Sequence, residues 1–255
     1  MTLNSSEADQ RVVAKVKAVL AIIGDRSSPE RVEALGRLRL YCEGAGSSEE
    51  LEAIGSKKVP TLRTLVELLD EVIGSLGTGS HEERVLEDVL WLLECLLCSV
   101  TANHKVFLKQ ARGVPLLLDV LRQAPAIAGN RHALLEPAAG VLCCLTFHSG
   151  RACQQTLDAA GCEAIATALS AVLAPPDNGA GGPRPPRARS VAGPDSERLA
   201  CSLFELAINL CSMLPQAQAA CADTGLLALL LERVGSAVAA EPPGRPATAE
   251  TPRTA

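Results

Sequence analysis

Cys144 and His148 lie four residues apart in Leu142-Cys143-Cys144-Leu145-Thr146-Phe147-His148. That is the separation at which a thiol and an imidazole on one helix can touch. The pair resembles a nucleophile and its base, but such chemistry also needs a group to orient the imidazole and donors for a developing oxyanion. The sequence supplies neither, so the pair reads as the end of a buried helix. Cys95-x-x-Cys98 followed by His104 resembles part of a zinc set. Structural zinc takes four ligands, commonly from knuckles on turns, whereas these cysteines fall inside the apolar run Leu92-Leu93-Glu94-Cys95-Leu96-Leu97-Cys98. No metal and no cofactor is expected. The chain has no glycine-rich phosphate loop, Gly-x-Ser-x-Gly elbow or His-Glu-x-x-His pair. No catalytic residue is assigned, and the chain is expected not to be an enzyme.

Recognition has more to work with. Glu87 and Glu94 stand at −4 and +3 from Trp91, which places all three on one helical face. An aromatic platform between carboxylates suits a Lys- or Arg-bearing partner segment. The alternative is Trp91 packed between neighbouring helices, with the glutamates merely solvated. Arg184, Arg187 and Arg189 precede Ser190 in a stretch without apolar periodicity. Phosphorylation of Ser190 there would change the charge with which the segment docks; a solvated linker with incidental arginines is the other reading.

The elements that carry these residues recur. A leucine-rich run, a polar turn, a short segment, a junction and a second leucine-rich run follow one another at Val85–Leu97, Asn103–Leu108 and Gly113–Leu121. The order returns at Leu142–Phe147, Cys153–Leu157 and Gly161–Leu173, and again at Leu203–Leu210, Ala217–Ala222 and Gly225–Val234. A degenerate first copy covers Val32–Tyr41, Glu49–Ile54 and Val59–Ile73. One such unit cannot bury its apolar face alone and must stack on a neighbour. Val59 and Val114 are 55 positions apart, Val114 and Cys162 48, Cys162 and Leu226 64. Repeats of this kind run to about 40–47 residues, so loops are expected at Gly74–Ser80, Gln123–Asn130 and Pro175–Asp195. The last of these and the tail Glu241–Ala255 are Pro-rich and read as disordered. Helix one is expected from Ala8 to Ile23, with Gly24 in a left-handed closing turn. Ser28 is expected to cap the next helix with Pro29 in its first turn, and Ser47 or Ser48 to cap a short one. Pro60 and Pro115 each follow a junction valine and start a helix, while Pro137 and Gly140 kink the third long helix or delay its start.

Composition narrows the class. Apolar residues make up 47% of the chain and aromatics 2%, so the core must be Leu, Val, Ile, Ala and Cys, a palette for helix packing rather than for an aromatic β core. Net charge is −5, which argues against a polyanion partner and hence against nucleic acid. The cysteines sit mostly within apolar helical runs and the start lacks the pattern of a secretory signal. A reducing, cytoplasmic setting is expected, with nuclear or ciliary access left open. No apolar run approaches the roughly 18 residues of a membrane span.

Trp91 and Leu93 in a leucine-rich helix, then Gly113-Val114-Pro115-Leu116-Leu117-Leu118-Asp119-Val120-Leu121, resemble the armadillo repeat over roughly Val32 to Val238. Gly161 and Gly225 carry its junction forward. The resemblance implies a right-handed all-α solenoid whose third helices line a groove. In the import and catenin types, a ladder of Asn side chains clamps an extended peptide between Trp pockets. Here Asn209 is the one clear rung, with Cys95 and Phe147 near the corresponding places of their copies. The expectation is an all-α solenoid of about four armadillo-like repeats over residues 1–240. It would act as a non-enzymatic protein-interaction scaffold, with Glu87, Trp91, Glu94 and Asn209 meeting a protein partner. The rivals are an assembly factor for myosin or ciliary dynein motors and an import-type adaptor for basic peptides.

Overall fold

The computed structural model describes residues 3–75, 80–126, 131–147, 149–174 and 194–232. Among them the chain is all-α, with no strand. The helices are α1 (Leu3–Gly24), α2 (Arg31–Glu43), α3 (Ser48–Gly55), α4 (Thr61–Ile73), α5 (Ser80–Cys98) and α6 (Thr101–Phe107). They continue as α7 (Gly113–Gln123), α8 (Arg131–Phe147), α9 (Gly150–Asp158), α10 (Gly161–Leu173), α11 (Pro194–Met213) and α12 (Pro215–Asp223). A 3-10 turn, Ala124–Ala126, follows α7, and 226–232 is helical.

Local sequence accounts for most boundaries. In α4, Leu62, Leu65, Leu69 and Val72 recur at the spacing of one buried stripe and are all buried. Ser47 caps α3 by accepting from the Glu50 amide at 3.3 Å, and Ser149 caps α9 by accepting from Ala152 at 3.2 Å. Three expected ends differ, the first being the start of α1 at Leu3 rather than Ala8. Gly24 is the last residue of α1 and does not adopt a left-handed conformation. Ser28 accepts from the Glu30 amide, but it does so within a turn, and α2 starts only at Arg31. Pro29 thus lies before the helix rather than in its first turn. Pro137 lies in the seventh position of α8 and neither starts nor stops it. Helix α11 starts at Pro194, inside the expected loop; the rest of that loop and the expected tail lie outside the described residues.

The helices pack in a regular order: α2, α5, α8 and α11 lie each against the next, and α1, α4, α7 and α10 do the same. One continuous apolar core runs through them from Val16 to Leu226. The turns after α5, α8 and α11 are closed alike. The last carbonyls of an α-helix lack intrahelical donors, and here the short helix that follows supplies one from seven residues on. His104 donates to the Leu97 carbonyl at 2.8 Å, Cys153 to Thr146 at 3.3 Å, and Gln218 to Cys211 at 3.2 Å. Asn103, 1% exposed, does the same for Leu96 at 3.0 Å and reaches Leu51 of α3 at 3.4 Å. The junction glycines fall into two kinds. A Cβ on Gly161 would sit 2.6 Å from the Thr156 backbone oxygen, and one on Gly113 2.8 Å from the Phe107 ring. Both therefore permit a close helix approach. Gly225 instead has φ +74°, and its counterpart in the preceding copy is Ala160, at φ +55°, one residue before Gly161.

Candidate interaction face

The i−7 carbonyls define a register in which Leu97, Thr146 and Cys211 are equivalent. Counting back two residues aligns Cys95, Cys144 and Asn209. Phe147 therefore does not hold the place of Asn209; Cys144 does. The same register aligns Trp91 with Gly140 and Glu205, and Glu94 with Cys143 and Ile208. Hence α5, α8 and α11 present corresponding positions along one face.

On α5, Glu87, Trp91 and Glu94 lie together as their spacing predicts, each half-buried. The Trp91 ring is not vacant. The Arg39 guanidinium of α2 lies 4.5 Å from its centroid, held by Glu43 at 2.8 Å and Asp88 at 2.7 Å. The aromatic platform is thus capped by the chain's own cation, which sequence separation concealed. The two glutamates have no such partner: neither makes an ion pair among the described residues. Burial, then Asp88 and Glu83, push the Glu87 carboxyl above its usual range. Burial and then Glu136 do the same to Glu94, although Arg198 offsets part of the effect. Arg198 itself is paired with Glu136 across α8 and α11. The Glu94 carboxylate reaches over Gly140, where a Cβ would lie 2.9 Å from its Oε1.

Further along the face, α8 and α11 border an open cleft of about 540 Å³ lined by Gly140, Cys143, Phe147, Glu205, Ile208 and Asn209. Its walls leave apolar surface in water: Phe147 is 67% exposed and Ile208 57%, and Met213 nearby is 47% exposed. Asn209 spends its amide on the chain itself, donating to the Cys143 carbonyl and the Thr146 hydroxyl, both at 3.3 Å. It ties α11 to α8. Burial first, and Glu205 next, push the Cys143 thiol up to about 11.

His148 lies outside the described residues, as do Arg184, Arg187, Arg189 and Ser190. Cys144 instead has His104 Nε2 at 3.7 Å. That nitrogen donates to Leu97, since a carbonyl only accepts, and the Cys144 thiol reaches the same carbonyl at 3.8 Å. The bond to Cys144 holds His104 above its usual range against the opposing pull of burial. The ring closes the turn after α5. Cys95 meets Cys42, and Cys98 meets Cys144; no group of three ligands among the described residues is placed to hold a metal ion. Among the described residues no single helix is long and apolar enough to cross a membrane.

Arg39, Glu136, Arg198, Ile208 and Met213 were not singled out from sequence. The signal available for them was the copy register itself, which places Glu136 opposite Glu87 and Ile208 opposite Glu94. Neither a family model nor a curated protein matches the chain.

Proposed function

We propose that this chain is a non-enzymatic scaffold of the armadillo type, a right-handed α-solenoid that holds a protein partner along the face of α2, α5, α8 and α11. The stacking of α2, α5, α8 and α11 and of α1, α4, α7 and α10, each on the next of its row, and the recurring i−7 closure support about four repeats. The observation that carries the binding role is Glu87 with Glu94: half-buried carboxylates with no paired cation, beside a cleft whose apolar walls stay in water. Leaving such charges uncompensated costs stability, and functional sites are where that cost is retained. The partner this face fits carries Lys or Arg to reach the glutamates and an apolar anchor for the cleft. Because Arg39 already covers Trp91 and Asn209 is bonded within the chain, an Asn ladder for an extended backbone is not the mode proposed. Partners recovered by proximity labelling, then titrated against the purified chain, test the reading. Glu87→Gln with Glu94→Gln is expected to weaken binding at least tenfold, or about 1.4 kcal/mol, without loss of fold. Unchanged affinity for every partner found would remove this face from consideration.

A further inference from the structure

Cys162 of α10, Cys211 of α11 and Cys221 of α12 meet at one point in the last part of the chain. The Cys221 sulfur lies 3.4 Å from that of Cys162 and 3.5 Å from that of Cys211. Cys221 and Cys162 are buried, at 0% and 2% exposure, whereas Cys211 is half-buried. Cys221 thus has two further thiols as neighbours, one on a buried and one on a half-buried residue, whereas the exposed Cys201 of α11 makes no thiol contact among the described residues. We propose that Cys162, Cys211 and Cys221 form an oxidisable dithiol site whose oxidant is a hydroperoxide, with hydrogen peroxide as the simplest case. The Cys211 thiol gives up its proton, its thiolate attacks one oxygen of hydrogen peroxide, the O–O bond breaks, and the departing hydroxide takes up that proton as water, leaving Cys211 as the sulfenic acid. The Cys221 thiol displaces that hydroxyl as a second water and forms the Cys211–Cys221 disulfide. Overall two thiols lose two hydrogens and one peroxide becomes two waters. Cys162 then exchanges onto Cys221, which frees the Cys211 thiol and moves the bond to the buried pair. Burial there shields it from thiol reductants, since exchange needs access to a sulfur. Its place between α10 and α12 staples two helices that flank α11, the element carrying Ile208 and Asn209.

The hydrogen bond to Cys162, followed by burial, holds Cys221 above the ordinary thiol range, so the reaction is expected to be slow and to quicken as pH rises. The test uses the full chain, treated with hydrogen peroxide, alkylated in denaturant and mapped by mass spectrometry. Residues 199–233 carry Cys201, Cys211 and Cys221 between two arginines, so a Glu-specific protease is added to cut after Glu205 and isolate Cys201. Cys221 is expected in a disulfide with Cys162 or Cys211, reversed by dithiothreitol, with Cys201 absent from it. Cys162→Ser is expected to arrest the product at Cys211–Cys221 and make it faster to reduce. Cys221 recovered as a free thiol, or joined to any other cysteine, would overturn the proposal, and the unmutated chain alone decides this should a variant fail to fold.

Discussion

Glu94 shows how one side chain can be placed at a loss. Burial and Glu136 raise its pKa in the folded chain, so the folded state holds the proton more tightly than the unfolded one. The stabilisation from this group is present below the ordinary glutamate value and is lost as pH rises through the raised folded value. At neutral pH the charge is a burden, and Glu94→Gln is expected to raise the melting temperature at pH 7 while changing little near pH 4. A fall in Tm at pH 7 would show that the carboxylate has a stabilising partner after all. His104 has a raised pKa too, through its bond to Cys144. Its contribution is therefore full below the unfolded value of about 6.5 and declines as pH climbs past the raised one. Ala160 is strained at φ +55°, where an L side chain crowds its own backbone. Ala160→Gly is expected to stabilise the fold by about 0.5–1 kcal/mol in urea unfolding.

Among elements, the long helices are joined by polar closures rather than by leucine alone. Asn103 serves α3, α5 and α6 at once from a site that is nearly sealed from water. Leucine there would keep the bulk and leave two carbonyls without their donor. Asn103→Leu is expected to cost about 1–3 kcal/mol, read as a lower urea midpoint with unchanged helical circular dichroism. Gly161→Ala is expected to lower Tm for a different reason: its Cβ meets a backbone oxygen that cannot swing aside. The helices were legible in the sequence because a helix announces its buried stripe every three or four residues. Ends such as Ser28 and Gly24 were less so, because a cap is chosen by where the chain must go next. Asn103 stayed hidden, since an isolated Asn on a short helix shows nothing of the carbonyls it will meet.

Across the molecule, the proposed binding face changes character from carboxylates on α5 to exposed Phe147, Ile208 and Met213 around the α8–α11 cleft. A partner held mainly at the acidic end should bind more weakly as salt is added, because exposed charges are screened over about 8 Å at physiological ionic strength. Isothermal titration between 50 and 300 mM salt, roughly the range over which such screening tightens, is expected to show that trend. The paired glutamine variant should flatten it. An Ile208→Ser change should instead lower affinity equally at all salt concentrations, since apolar burial is not screened.

Composition and periodicity alone were enough to specify an all-α chain and to place its main apolar helices. Those properties follow from contacts within a few residues, where helical geometry makes spacing equivalent to direction. The face on which Glu87, Trp91 and Glu94 sit was legible for the same reason. What lies across from them was not. Arg39 reaches Trp91 from 52 positions away, Cys144 finds His104 rather than its near neighbour, and Asn209 turns inward to α8. Each of those pairings depends on how one helix is rotated and stacked against another, a choice made by the packing of the whole core and carried by no short stretch of chain.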